Sequence, residues 1–346
     1  MKRIFILIFT FLLLIGCTQA YKPRNIEKVT IKTFKIDSTS IRAIQVKDTN
    51  SISYADSNGN FGFTTNNGSL WHNLQIKYQD TIHPNFRSLG FNGSDYFVIS
   101  IGNPALLYKI SEGQVTLQYL EEDPNVFYDA LTFFEDNLHG IAVGDPTENC
   151  ASILITEDGG ETWRKIWCEN LPEIMEGEAF FAASNTNIKT IGSTVWIASG
   201  GKKARILKSN DFGKTWKIYE TPIIQGNGPQ GIYSIDFYDE NNGIIIGGDY
   251  SQPFENTANK AITADGGKTW TVIADHQNPN YKSCVQYVPN TEGKEVFAVG
   301  KTGISFSNDG GIIWREVSKE EYYTIQFLDK NTAWLGGNEK IGKMEL

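Results

Sequence analysis

Four aspartates recur in one eight-residue setting: Asp158 in TEDGGETW, Asp211 in SNDFGKTW, Asp265 in TADGGKTW and Asp309 in SNDGGIIW. A repeated Asp-Gly turn invites comparison with a calcium loop. A calcium site, however, gathers several carboxylates at one loop, and each octet brings about one. The residue types fit a folding task instead. The carboxylate can accept hydrogen bonds from nearby backbone N–H groups, as Asx-turns do. The glycine two residues on (Gly160, Gly213, Gly267, Gly311) can take positive φ without Cβ strain. The closing tryptophan (Trp163, Trp216, Trp270, Trp314) can bury a broad flat surface.

Other charged residues could act on a ligand: Arg42, Arg87, Asp129, Asp145, Glu178, Arg205 and Asp249. The chain has only seven arginines, and three are in this set. Guanidinium groups recognise carboxylates through paired hydrogen bonds. Two of the carboxyls, drawn from Glu178, Asp145 and Asp129, would suit glycoside hydrolysis if they stood about 5 to 9.5 Å apart. Other chemistries find no support. The four histidines (His72, His83, His139, His276) are scattered, and no Cys/His spacing suits zinc. There is no Gly-rich strand-to-helix turn for a dinucleotide and no haem Cys-x-x-Cys-His run. No metal and no cofactor is therefore expected.

These residues need a scaffold, and the octets define it. The closing tryptophans are 53, 54 and 44 residues apart, a spacing suited to four-stranded propeller blades. A weaker copy, TTNNGSLW, ends at Trp71, and KISEGQ (109–114) reads as an eroded one. Before each turn comes an alternating strand, a polar turn and a strand ending in small residues, as in DALTFFEDNLHGIAVG and YSIDFYDENNGIIIGG. Looser versions start at Arg42, Arg87, Glu178 and Ser283. Seven units result, each with strands A to D. The last lacks a strand D. The segment 28–36 (KVTIKTFKI) is expected to supply it, giving an all-β, single seven-bladed β-propeller whose ring is closed by an N-terminal strand.

The octets resemble the Asp-box, or BNR repeat, shared by sialidases, certain glucanases, sortilin-type receptors and the photosystem II stability and assembly factors. The pairing of a G-(I/V/W)-x-x-G strand with DGGxTW looks most like the assembly-factor branch. GEAFFAASNTNI (177–188), IAVGDP (141–146) and YKSCVQY (281–287) resemble a group of exported bacterial propellers that often carry the label "oxidoreductase", a label with no visible basis here. The resemblance implies the fold and says little of function. The Phe/Tyr-Arg-Ile-Pro sequence of sialidases is absent.

In such propellers the strand A starts and the B–C loops share one face, around the central channel, and the Asp-boxes lie on the other. That sorting brings Arg42, Arg87, Asp129 and Glu178 (strand A starts) to one mouth with Asp145, Arg205 and Asp249 (B–C loops). The loops 144–152 and 247–260 are long and rich in Asp, Asn and Pro, as recognition loops on rigid scaffolds are. The expected function is a non-catalytic binding or assembly module contacting an envelope protein or glycan through this face. A glycan-active hydrolase and an inert structural lipoprotein are the alternatives.

The N-terminus reads as a lipoprotein signal. Lys2 and Arg3 precede an apolar run too short to span a membrane, and Leu14-Ile15-Gly16-Cys17 follows. Residues 1–16 would be removed and Cys17 lipidated, with 17–27 as a tether and 28–346 as the propeller. Thr18 after the cysteine favours the outer membrane. A formal charge of −9 argues against nucleic acid as partner and against membrane contact other than the anchor. A monomer is expected. Export also bears on the cysteines. If Thr156 pairs with Thr162, Cys150 falls opposite Cys168, so either a bridge or two buried thiols fits.

Overall fold

The computed structural model describes residues 21–346. The signal sequence and Cys17 lie outside the described residues. Seven groups of four antiparallel strands follow one another, lettered A to D from the channel outwards. Blade one uses the end of the long strand Thr30–Val46, then Ile52–Asp56, Asn60–Thr64 and His72–Gln75. Blade two is Phe86–Phe91, Tyr96–Ser100, Ala105–Ser111 and Gln114–Glu121. Blade three is Tyr128–Phe133, Gly140–Gly144, Ser152–Thr156 and Arg164–Lys165. Blade four is Ile188–Ile191, Thr194–Ala198, Arg205–Ser209 and Lys217–Glu220. Blade five is Gln230–Phe237, Gly243–Asp249, Lys260–Thr263 and Thr271–Val272. Blade six is Cys284–Tyr287, Val296–Gly300, Gly303–Ser307 and Arg315–Ser318. Blade seven is Thr324–Phe327, Thr332–Gly336 and Asn338–Glu345, completed by the start of Thr30–Val46.

That N-terminal strand joins the two ends of the chain. Thr30 to Lys35 pair with Glu345 to Lys340, while Ile41 to Val46 pair with Asp56 to Ile52. Between them the strand folds over at residues 36–40, where Ser38 takes a φ of 55°. The inner strands touch their neighbours in cyclic order, with blade seven against blade one. Seven apolar clusters lie along the seven seams between adjacent blades. Burial of these seams is the main stabilising term, since each blade leaves both faces apolar.

The octets behave as their residue types dictate. In blade five, Asp265 Oδ1 accepts from the N–H groups of Lys268 and Thr269 (3.0 and 2.9 Å), and Oδ2 accepts from the Thr269 hydroxyl at 2.7 Å. The Thr263 hydroxyl donates to the same carboxylate and accepts from Gly267 N–H at 3.0 Å. Asp158 and Asp211 repeat the pattern, Asp309 repeats it without the hydroxyl because Ile313 replaces the threonine, and Asn66 repeats it in part before Trp71. Gly267 has a φ of 83°, and a Cβ there would meet the Trp196 ring of blade four at 3.1 Å. The indole N–H of Trp216, Trp270 and Trp314 donates to the carbonyl of its own turn glycine. Each ring fills the seam to the preceding blade. Trp163 does so without a partner for its N–H.

Two expectations need correction. Glu178 does not start strand A of blade four, which begins at Ile188. It belongs to a two-residue strand, Glu178–Ala179, paired with Gly200–Gly201. The stretch read as a tether is held against the ring from Tyr21 onwards. Arg24 forms an ion pair with the buried Glu295 at 2.6 Å, and Ile26 and Val29 enter the seam between blades six and seven.

Candidate functional site

Residues 180–187 run between Glu178–Ala179 and strand A of blade four, and they cross the central channel. Their sequence, FFAASNTN, has small polar residues where a strand would alternate, so it bonds outwards instead of pairing. Asn185 Nδ2 donates to Leu89 O of blade two, and its Oδ1 accepts from Leu131 N–H of blade three, both at 2.9 Å. Ser184 Oγ donates to Ser283 O beside blade six at 2.6 Å, and Ser184 O accepts from Thr324 Oγ1 of blade seven at 3.1 Å. Thr186 O accepts from Ile235 N–H of blade five at 2.8 Å. Ala183 O accepts from Arg42 Nη1 of blade one at 3.0 Å. The crossing segment thus plugs the channel and divides it in two.

Above the plug, on the face of the B–C loops, lies a cavity of about 560 Å³. That is within the range of small-ligand and peptide-anchor pockets. Its floor is Phe180 to Ala183, and its walls hold Arg42, Arg87, Asp145, Tyr233, Tyr281 and Tyr323. The rings of the aromatic wall pack on one another: Phe181 stacks on Tyr233 at 4.0 Å, and Tyr281 meets Tyr233 edge-on at 4.9 Å. Tyr250 and Phe254, from the loop 247–260, stand at the rim, and Phe254 is 74% exposed. Below the plug a second, more polar cavity of about 330 Å³ is lined by Gln45, Gln286 and Gln326 among others. Two of these glutamines are occupied, since Gln326 accepts from Val46 N–H and Gln286 from Phe327 N–H.

The two arginines of the upper cavity are largely buried and incompletely partnered. Arg42 lies over the Tyr323 ring at 4.1 Å, and its Nε meets no acceptor. Arg87 Nε is also buried without a partner. Burial lowers the proton affinity of both, and Arg87 is lowered further by the charge of Arg42. Asp129 lies beneath, fully buried, with neither carboxylate oxygen in a hydrogen bond. Burial, and then the charge of Asp145, hold the Asp129 carboxyl well above the usual range, which the nearby Ala182 N–H and then Arg87 only partly offset. Asp145 faces the cavity, accepts from Phe180 N–H at 2.7 Å, and is pushed up by burial to about 6.

The remaining sequence candidates are placed elsewhere. Glu178 and Arg205 neutralise one another in a buried pair at 2.5 Å, with Ser199 and Met175 N–H completing the carboxylate's bonds. Neither lines the cavity. Asp249 caps its own loop, accepting from Ser251 N–H at 2.9 Å and from Gln230. Of the carboxyls considered for hydrolysis, Asp145 alone lines the cavity. Strand A starts bring Tyr233 and Tyr323 to this mouth, as the sequence implies, but sequence reasoning missed the floor and the rest of the aromatic wall. Phe180, Phe181 and Tyr281 carry no period, although the stretch GEAFFAASNTNI is singled out by its resemblance.

Cys150 and Cys168 are bridged, with Cα atoms 5.5 Å apart. The bridge is not cross-strand. Leu154 pairs with Lys165, which sets the register one residue off, and Cys168 opens a short 3-10 turn. Among the described residues no group of three His, Cys, Asp or Glu side chains could hold a metal ion.

No family model matches the chain, and no curated protein does. Solved structures do match in fold. A structure described as YCF48 bound to D1 peptide aligns with a TM-score of 0.67 at 16% identity, covering 93% of this chain and 98% of that one. YCF48 from Cyanidioschyzon merolae aligns with a TM-score of 0.64 at 17% identity, covering 91% and 98%. The WD40 repeats of RRP9 align with a TM-score of 0.66 at 9% identity, covering 93% and 100%. At these identities the likeness establishes the propeller fold and its resemblance in shape to YCF48.

Proposed function

We propose that the protein is an envelope-anchored, non-catalytic binding module of the Asp-box type that takes an anionic segment of a partner protein into the upper cavity. One observation carries this reading. Arg42 and Arg87 line one aromatic cavity, with Nε groups unpartnered and the carboxyl that acts on Arg87, Asp129, biased towards the neutral form. A buried guanidinium N–H left without an acceptor is costly. A ligand carboxylate would supply both the charge and the acceptors. The packed tyrosine wall would hold the apolar part of the segment, with few rotamers left to freeze on binding. A propeller of similar shape has been solved with a peptide bound, which supports a peptide as the ligand class.

The anchor gives the site an orientation. Tyr21 and Arg24 contact Lys294, Glu295 and Asn308, on the face that carries the Asp-Gly turns. Cys17 is four residues before Tyr21, a reach of at most about 15 Å. A monomer lipidated at Cys17 in the outer membrane would hold its turn face to the bilayer and its cavity away from it. A glycan is the second reading, favoured by the exposed rings of Tyr250 and Phe254.

The test is affinity capture from the protein's own envelope, comparing wild type with Arg42→Ala/Arg87→Ala. A partner that co-purifies with wild type and is lost from a folded double variant is the expected result. Undiminished capture by the double variant would remove this face from consideration. If neither form retains protein, a glycan array with the same two proteins decides the second reading.

A further inference from the structure

The seams between blades follow one rule, and one seam breaks it. At five of the seven, the tryptophan that closes an octet fills the gap to the preceding blade: Trp71, Trp163, Trp216, Trp270 and Trp314. At a sixth, between blades six and seven, Ile26 and Val29 of the N-terminal segment fill it. The seventh lies between blades one and two. There the octet is eroded to a two-residue turn, Glu112-Gly113, and strand D begins at once. Val115, opposite Ile110, takes the place that Trp163 has in blade three. On the facing blade, Ser53 stands where blades two and four have Phe97 and Trp196. Both walls are therefore cut back, and a cleft of about 260 Å³ remains, lined by Phe61, Phe63, Leu74, Tyr96 and Ile110.

A second observation adjoins it. Strand D of blade two, Gln114–Glu121, has eight residues, against two to four in the other blades that begin strand D after their own octet or its weak copy. It is the last strand of its sheet, and no other described segment pairs with its outer edge. Leu117 and Leu120 on this strand are 37% and 39% exposed. A long free edge with exposed leucines is a template for an added strand.

We infer that this seam is a second docking site, independent of the channel cavity, for an extended segment of a partner protein. The segment adds a fifth strand to blade two along Gln114–Glu121. It places an indole, or another aromatic side chain, in the cleft between blades one and two. The occupant's chemistry follows from the molecule itself, because an indole fills the equivalent position at five other seams. The cleft has room for one such ring and not for a drug-sized ligand. The added strand supplies main-chain hydrogen bonds and the ring supplies selectivity.

The test uses two probes, N-acetyltryptophanamide and the capped pentapeptide Thr-Val-Trp-Val-Thr, titrated into the full described chain. Methyl NMR shifts at Leu74, Ile110 and Val115 report binding, and Ile99 at the filled seam between blades two and three is the control. Both probes are expected to shift the first three and spare Ile99, with the pentapeptide at least tenfold tighter. Bound peptide should also slow amide exchange in Gln114–Glu121. Val115→Trp and Ser53→Phe fill the cleft from opposite walls. Each folded variant is expected to lose both responses while keeping partner capture at the channel cavity. Leu117→Lys should bring the peptide down to the affinity of the amide alone. Absence of shifts at millimolar probe, or shifts that survive in both filled variants, would overturn the inference. If Val115→Trp fails to fold, Ser53→Phe alone decides.

Discussion

Asp265 and Asp145 carry the same carboxyl group in opposite settings, and their behaviour with pH should differ in sign. Slight burial would raise Asp265, but the hydroxyl and N–H of Thr269, with Thr263 and Lys268, outweigh it and bring the group down to about 2. The unfolded chain holds a proton there up to about pH 4. Stability from this turn is therefore present above pH 4 and lost as pH falls towards 2. Asp265→Ala should cost about 1 to 2 kcal/mol at neutral pH, the range for losing a cap with charged acceptors. Capture at the cavity should not change. Thermal denaturation of the two proteins at pH 7 and pH 3 checks the loss and its pH dependence, a capture assay checks the rest, and equal stabilities at pH 7 would contradict the scaffold role. Asp145 is raised by burial to about 6. The folded state keeps its proton between about pH 4 and 6, so stability falls as pH rises through that window. Ionised Asp145 would also place a negative charge on the wall of the cavity that receives the ligand carboxylate. Binding of an acidic peptide should strengthen as pH drops from 7 to 5, and Asp145→Asn should flatten that profile. A profile unchanged by the substitution would show that another group controls it.

At the scale of elements, the blades were legible because their signals are local. An octet closes on itself through Asp265 and Thr269, four residues apart, so the turn can be read without its neighbours. Alternation marked most of the strands in the same way. The plug was not legible, because its partners lie 50 to 140 residues away. Asn185 is held by Leu89 and Leu131, and Ser184 by Ser283 and Thr324. Nothing in the string FFAASNTN announces that it will cross a channel. The same distance problem misplaced Glu178 and Arg205. Both map to the mouth by strand position, yet they meet as a buried pair beside the plug's entry. Arg42 and Arg87 were found because strand A starts do reach the channel. If the plug is the structural floor, Asn185→Ala leaves Leu89 O and Leu131 N–H unpaired. A loss of about 2 to 6 kcal/mol is expected, one desolvation penalty for each orphaned group. Peptide affinity should fall as well, since Phe180 to Ala183 form the floor. The Cys150–Cys168 bridge pins the segment leading to the plug. Reduction should add two daltons to the intact mass and cost roughly 3 kcal/mol, the usual value for a loop of this length.

Closure is a property of the whole molecule, and it turns a row of repeats into one cooperative unit. An open array of blades would have two ends, each free to fray, with stability summed over nearest neighbours. Here both ends meet in one strand, Thr30–Val46, which belongs to blades seven and one at once. The lock on that strand lies just before it. Arg24 donates to both oxygens of Glu295, whose side chain is fully buried, and Tyr21 donates its hydroxyl to the same carboxylate. Arg24→Ala would leave a buried carboxylate with its charge uncompensated, a loss of about 3 to 5 kcal/mol. Where that loss is felt distinguishes a ring from a row. In a ring, weakening the lock lowers the barrier to opening everywhere, so one denaturation midpoint should shift and amide exchange should quicken in all seven inner strands. In a row, exchange would quicken only in residues 21–36 and blade seven, and a separate early transition would appear. Hydrogen exchange on Arg24→Ala separates the two. The double variant Arg24→Ala/Glu295→Met, which removes the stranded charge and keeps an apolar side chain, should recover most of the midpoint if the cost lies in the uncompensated carboxylate. It should fail to recover it if the cost lies in the released N-terminal strand.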